Sequence, residues 1–133
     1  MNINYLYEQY LLKRILIFDL DDTLISEKEF LYSAYYDIAK KTNINNDTIF
    51  EFLKQNFKNG YRKNIYQRLI SEFPYCNLSL EEFLNILHNH KPRKEIKTMN
   101  WFQNFAKLIN INFGLYIITN GHPTQQRNKI SST

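Results

Sequence analysis

The sequence predicts an α/β protein in which parallel strands are interrupted by an inserted block of helices. Three observations predict it. Two short apolar, β-branched runs, Ile15-Leu16-Ile17-Phe18 and Leu115-Tyr116-Ile117-Ile118, have the composition of strands in a parallel sheet. Each ends in polar residues, Asp19 onward and Thr119-Asn120-Gly121. Between them lie about four segments of helical periodicity and one more helix, too long a stretch for a simple crossover.

Taken in order, residues 3–12 have the spacing of a short amphipathic helix, and Lys13 and Arg14 lead into the first strand, predicted to be buried. Ser26 stands three residues before Glu29, a capping-box pattern. The segment Glu27 to Lys41 then places Phe30, Leu31, Ala34, Tyr35, Ile38 and Ala39 on one helical face. A second helix is predicted from Thr48 to Lys58, stopping near Gly60, and a third from Arg62 to Glu72, before Pro74. Ser79 and Glu82 form another capping box, opening a helix that runs to about His88. A fifth covers Met99 to Ile109, with Trp101, Phe102, Phe105, Leu108 and Ile109 as core candidates. After the second strand, Pro123 permits a last helix to start. The expected division is an α/β core of residues 1–25 and 91–133 and a helical subdomain of residues 26–90.

Bulk properties exclude several classes. A hydrophobic content of 44% argues against disorder. No apolar run is long enough to span a bilayer and no secretory leader is visible, so no membrane role and a cytoplasmic location are expected. Cys76 is the single cysteine, which rules out an intrachain disulfide and suits a reducing compartment. The net charge of +4 is mild. Its densest cluster, Lys91, Arg93, Lys94 and Lys97, is read as a solvated connection, and no nucleic-acid partner is expected.

The chemistry concentrates at the two strand ends. In Asp19-Leu20-Asp21-Asp22-Thr23, Asp19 and Asp21 are two apart, so in extended backbone their carboxylates point the same way. They would converge at the C-terminal edge of a parallel strand, where open α/β sheets bind ligands. Such a pair can divide labour between nucleophile and acid–base group, and a divalent cation would quench their repulsion. Thr119-Asn120-Gly121, 100 residues after Asp19, offers a hydroxyl and backbone N–H groups at a second strand end, suited to a phosphoryl oxygen.

The first loop resembles motif one of the haloacid-dehalogenase (HAD) superfamily, Asp-x-Asp-x-Thr after an apolar strand. The Thr119-Asn120-Gly121 turn resembles its motif two. The extended string to Ile130 is similar to members with a helical cap between these motifs, among them N-acylneuraminate-phosphate phosphatases and pyrimidine nucleotidases. The resemblance implies a Rossmann-like core carrying an α-helical cap, and a Mg²⁺-dependent phosphohydrolase. By it, Asp19 is the nucleophile that forms an aspartyl-phosphate, and Asp21 protonates the leaving group and then activates water. Asp19 and Asp21 hold Mg²⁺, the latter through its backbone carbonyl. Thr119 and Asn120 bind the phosphate of a small phosphorylated metabolite, a sugar phosphate or nucleotide.

The sequence departs from the family after Gly121. It has neither the lysine of motif three nor the acids of motif four, and no Asp or Glu follows Gly121. The chain is therefore expected to be C-terminally truncated relative to the family. Marginal stability is expected, as is a partner chain or self-association that covers exposed sheet edges. Two other functions compete with this one. A non-catalytic HAD remnant, or a fragment that depends on a partner, fits the missing motifs. A phospho-acceptor receiver domain also uses a strand-end aspartate, but it requires an alternating βα pattern directly after the first strand, which the long helical block contradicts. Of the weaker signals, His88 and His90 are read as a solvent-exposed pair at a helix end and His122 as a loop residue able to contact substrate. The tyrosines of the helical block are read as packing.

Overall fold

The computed structural model describes residues 14–108 and 113–133, so the helix expected over 3–12 lies outside the described residues, as does Ile109. The described chain is mixed α/β, with six helices and a two-stranded parallel sheet. In order these are β1 (Arg14–Phe18), α1 (Glu27–Lys41), α2 (Asn46–Lys58), α3 (Ile65–Glu72), α4 (Leu80–Asn89), α5 (Asn100–Leu108), β2 (Phe113–Ile117) and α6 (Pro123–Ser131). The chain falls into two compact units. One holds described residues from 14–27 and 97–120, and the other holds 28–96 and 121–133. The second unit thus includes α6, which the sequence division had assigned to the α/β core.

In the helical unit, α1 buries Phe30, Leu31, Ala34, Tyr35, Ile38 and Ala39, the same six residues its spacing put on one face. Ile49 and Leu53 of α2, Ile65 and Leu69 of α3 and Phe83 of α4 are also buried. Each fully buried aliphatic or phenyl side chain contributes about 1.5–3 kcal/mol of hydrophobic free energy before ordering costs. Polar side chains close the helix ends. Asn45 Oδ1 accepts from the Thr48 N–H at 3.1 Å, capping α2. Ser79 and Glu82 form the predicted box at the start of α4, with bonds of 3.1 and 2.9 Å. Gly60 follows α2 at φ +83°, left-handed backbone that suits glycine.

Hydrogen bonds tie α6 to the α4 exit. Gln125 Nε2 donates to the Leu87 carbonyl at 3.0 Å, and Asn128 Nδ2 donates to the carbonyls of Asn89 and His90 at 3.2 and 3.0 Å. The buried side of α6 is polar, consisting of Gln126, Asn128 and Lys129, with the Lys129 ammonium 5.1 Å from the Phe30 ring centre. Hydrophobic periodicity could not assign such a helix to its unit.

In the α/β unit, β1 and β2 pair in parallel from Arg14 opposite Phe113 to Phe18 opposite Ile117. The Phe18 ring sits 5.5–6.1 Å from those of Trp101, Phe102 and Phe105 of α5. The expectation that the first strand is buried is corrected. Ile15 and Ile17 are 44% and 58% exposed, and Leu115, Ile117 and Ile118 are also exposed. Alternate residues of a strand face opposite sides, so the aromatic cluster around Phe18 leaves the side shared by Ile15 and Ile17 open. The expected core role of α5 is corrected likewise. It buries no residue, Trp101 is exposed, and Leu108 is 84% exposed. No described helix is long and apolar enough to cross a membrane.

Candidate phosphoryl-transfer site

The site residues singled out by sequence sit at the C-terminal ends of the two adjacent strands. The pairing of Phe18 with Ile117 extends one step further, because the Ile118 N–H donates to the Phe18 carbonyl at 2.9 Å. Asp19 is the first residue past β1 and Thr119 the second past β2, so both lie just beyond the C-terminal edge of the sheet on neighbouring strands, one residue out of register. Asp19 and Asn120 are exposed, and Asp21 and Thr119 are half-buried.

The loop after β1 is wound around one carbonyl. Leu20, almost fully buried, accepts at its backbone oxygen from the N–H groups of Thr23, Leu24 and Ile25 at 3.3, 2.9 and 3.2 Å. The Asp22 N–H donates to the Ile25 carbonyl at 2.8 Å. Asp22 takes φ +56°, the left-handed region that aspartate tolerates better than most residues. Its carboxylate accepts from the Glu27 N–H at 3.0 Å, at the first residue of α1. The capping box expected from Ser26 and Glu29 does not form among the described residues. Asp22 thus has a structural bond and holds the turn.

Residues 98–101 brace the loop from outside. Thr98 pairs with Ile25, the Met99 N–H donates to the Leu24 carbonyl at 2.7 Å, and Trp101 Nε1 donates to the Thr23 carbonyl at 3.1 Å. Inside the loop, Thr23 Oγ1 donates to Asp19 Oδ2 at 3.3 Å. This bond orients the carboxylate and leaves Oδ1 outside it. Sequence reasoning did not find the support from Trp101, since neither its type nor its spacing marks a contact 78 residues away.

Among the described residues, no group of three or more His, Cys, Asp or Glu side chains gathers as a ready metal site. What the loop offers is two carboxylates and backbone oxygens, a hard donor set. Such donors suit Mg²⁺, which is commonly held by one or two carboxylates while substrate phosphate and water complete its octahedron.

The other sequence candidates fall in the helical unit. The imidazoles of His122 and His88 stack face to face, centres 4.1 Å apart and 3° from parallel. His90 is corrected. It is 4% exposed, not a solvent residue, because it bonds to α1 across the unit. Cys76 is a free, buried thiol, and burial pushes it above its ordinary range. The basic cluster Lys91, Arg93, Lys94 and Lys97 is exposed, as expected.

No family model matches this chain, and neither a curated protein nor a solved structure does.

Proposed function

We propose that the chain carries the nucleophile half of a HAD-type, Mg²⁺-dependent phosphohydrolase site acting on a small phosphorylated metabolite such as a sugar phosphate or nucleotide. One observation supports this above the rest. Asp19 and Thr119 lie just past the C-terminal ends of adjacent parallel strands, one residue out of register, with the Thr23 hydroxyl on one oxygen of Asp19.

In this reading Asp19 Oδ1 attacks the phosphorus of a phosphate monoester. Asp21 gives its proton to the departing ester oxygen, and an aspartyl-phosphate remains on Asp19. Asp21 then takes a proton from water as that water attacks the phosphorus, releasing inorganic phosphate and restoring both carboxyl groups. Thr119 and Asn120 hold the non-bridging oxygens. Asp19 and the Asp21 carbonyl would hold Mg²⁺, which when bound offsets the negative charge of phosphate and carboxylates.

The test is hydrolysis of 4-nitrophenyl phosphate with and without Mg²⁺. Turnover is expected only with Mg²⁺, and Asp19→Asn is expected to lower it by about a thousandfold or more. A folded sample with no Mg²⁺-dependent turnover rejects this reading for the chain acting alone. A second reading, a HAD remnant or a fragment completed by a partner chain, is favoured by the open sheet, where Ile15, Ile17 and Leu115 face solvent. It predicts no turnover in isolation.

A further inference from the structure

The helical unit holds a second constellation of chemical groups that owes nothing to the strand-end loop. Ser33 and Asp37 lie four residues apart on α1, so their side chains are neighbours on one helical face. His90 follows α4 in extended backbone, φ −56° and ψ 132°, and its ring reaches between them. Its Nε2 is 2.8 Å from Ser33 Oγ, and its Nδ1 is 3.2 Å from Asp37 Oδ2. A carboxylate only accepts, so in a neutral ring Nδ1 carries the proton and donates it to Asp37. The lone pair of Nε2 then faces the Ser33 hydroxyl, which donates to it. The ring is held edge-on against Phe30, centres 5.4 Å apart. Burial pushes the imidazole below its ordinary range, with Asp37 opposing, so a neutral base is present at pH 7.

Ser33 and Asp37 also line a cavity of about 440 Å³, with Tyr32, Tyr36 and Phe50 as aromatic wall, Arg93 and Lys94 as cationic groups and Glu29 and Glu95 as anionic ones. That volume lies in the range of small-molecule sites. The Tyr32 hydroxyl is buried without a hydrogen-bond partner among the described residues. Arg93 Nη2 stands 3.5 Å from Asp37 Oδ1.

The geometry points to a metal-independent acyl-transfer site in which Ser33 is the nucleophile, His90 the general base and Asp37 the positioning residue, taking small carboxylic esters with an aromatic or aliphatic group. The arrangement meets the geometric criteria for a nucleophile–base–orienter triad. Ser33 Oγ bonds to the ester carbon as its proton passes to His90 Nε2, and the carbonyl π electrons move onto oxygen. Collapse expels the alkoxide, which takes the proton from Nε2 and leaves as alcohol. Water, deprotonated by the same nitrogen, cleaves the acyl-serine, releasing the acid and restoring the Ser33 hydroxyl. Arg93 and Lys94 supply positive charge toward the oxyanion, and the aromatic wall takes the apolar group.

The experiment is covalent labelling of the whole chain with an alkyl fluorophosphonate in EDTA. A bond forms from Ser33 Oγ to phosphorus as fluoride leaves, and the adduct is located by fragmentation of the tryptic peptide Glu29–Lys40. EDTA separates this chemistry from the Mg²⁺-dependent site at Asp19, so either can fail alone. One adduct on Ser33 is expected, with none there in Ser33→Ala. His90→Gln is expected to slow labelling about a hundredfold. Asp37→Asn is expected to slow it less, with Asp37→Glu restoring part of the rate. Each variant is checked for the wild-type unfolding transition. The wild-type adduct decides should a variant not fold. Labelling on other residues only, no labelling, or an unchanged rate in folded His90→Gln overturns the assignment.

Discussion

In the helical unit Phe30, Ile38, Ile49, Leu53 and Leu69 are wholly removed from solvent, whereas in the α/β unit Ile15, Ile17, Leu115 and Ile117 are each at least 40% exposed. The residue types are the same, so the difference lies in the architecture. An amphipathic helix has one apolar stripe, which a neighbouring helix can cover. A sheet has two faces and two edges, and among the described residues two strands with one helix cover too little of them. The consequence for function is uneven. The Ser33–His90–Asp37 constellation stands on a closed core. The Asp19 loop is rigid locally, through the Leu20 carbonyl and Trp101, but stands on a sheet with open faces.

The largest effect is expected from truncating matched aliphatics in the two units. Leu53→Ala should destabilise the chain by about 2–5 kcal/mol, read from the urea unfolding midpoint. Ile17→Ala should stay within about 0.5 kcal/mol, as befits a surface position. Equal losses would break the comparison, since they would mean that the sheet is covered in solution, for example by self-association. Sedimentation of the two variants at the same concentration would separate that cause from a change in the monomer.

A smaller effect tests how the helices are closed. Ser79→Ala removes the bond to the Glu82 N–H and should cost about 1 kcal/mol. Smaller again, Trp101→Phe keeps a ring beside Phe18 but removes the donor to the Thr23 carbonyl. Because Trp101 is exposed, the expected loss is about 0.5 kcal/mol, at the low end for a hydrogen bond. Its sharper readout is hydrogen exchange in the loop of residues 20–25, which should quicken while that of α1 does not. Unchanged exchange in that loop would show that Trp101 does not brace it.

What the sequence disclosed follows the range of the forces involved. The buried face of α1 was legible residue by residue, because helical periodicity is local. So was the Ser79–Glu82 box, made by residues three apart. That Asp19 and Thr119 stand at strand ends followed from two apolar runs, each ending in polar chemistry; that the two strands are neighbours came from the structure. The Ser26–Glu29 pattern did not form; at that helix start it is Asp22, in left-handed backbone, that accepts from a helix N–H, that of Glu27. The burial of His90 was illegible because its partner Ser33 is 57 residues away. The exposure of Ile15 and Ile17 could not be read from composition, since a β-branched run reads the same whether or not other layers cover it; only the missing motifs, through the exposed sheet edges they imply, pointed to it. And α6 hid its attachment because Gln125 and Asn128 join it to the α4 exit by amide hydrogen bonds, which leave no hydrophobic stripe.

The finest test of the helical unit is its response to pH. Two imidazoles lie below their ordinary value near 6.5, His90 through burial and His88 through burial and then the charge of His122 stacked on it. His90 is faced by Asp37 and Ser33 of α1, by Arg93 in the segment after α4, and by the Phe30 ring, over which Lys129 of α6 sits. Asp37 favours the charged ring. Burial and Arg93 disfavour it, and they prevail. The unfolded chain therefore takes up protons first as pH falls. Stability should be full above the ordinary histidine value, fall as pH drops through it toward the folded values, and level off below them. Glu82, also lowered, loses its contribution only in the carboxylate range, so a scan from about pH 7.5 to about pH 5.5 isolates the histidines. The urea midpoint should fall across that scan, and His88→Gln should flatten part of the slope. A midpoint that rises instead would mean that the Asp37 bond outweighs burial and that His90 is charged in the fold. A charged His90 has no lone pair on Nε2 to take the Ser33 proton, so the same curve bears on whether that hydroxyl can be activated near neutral pH.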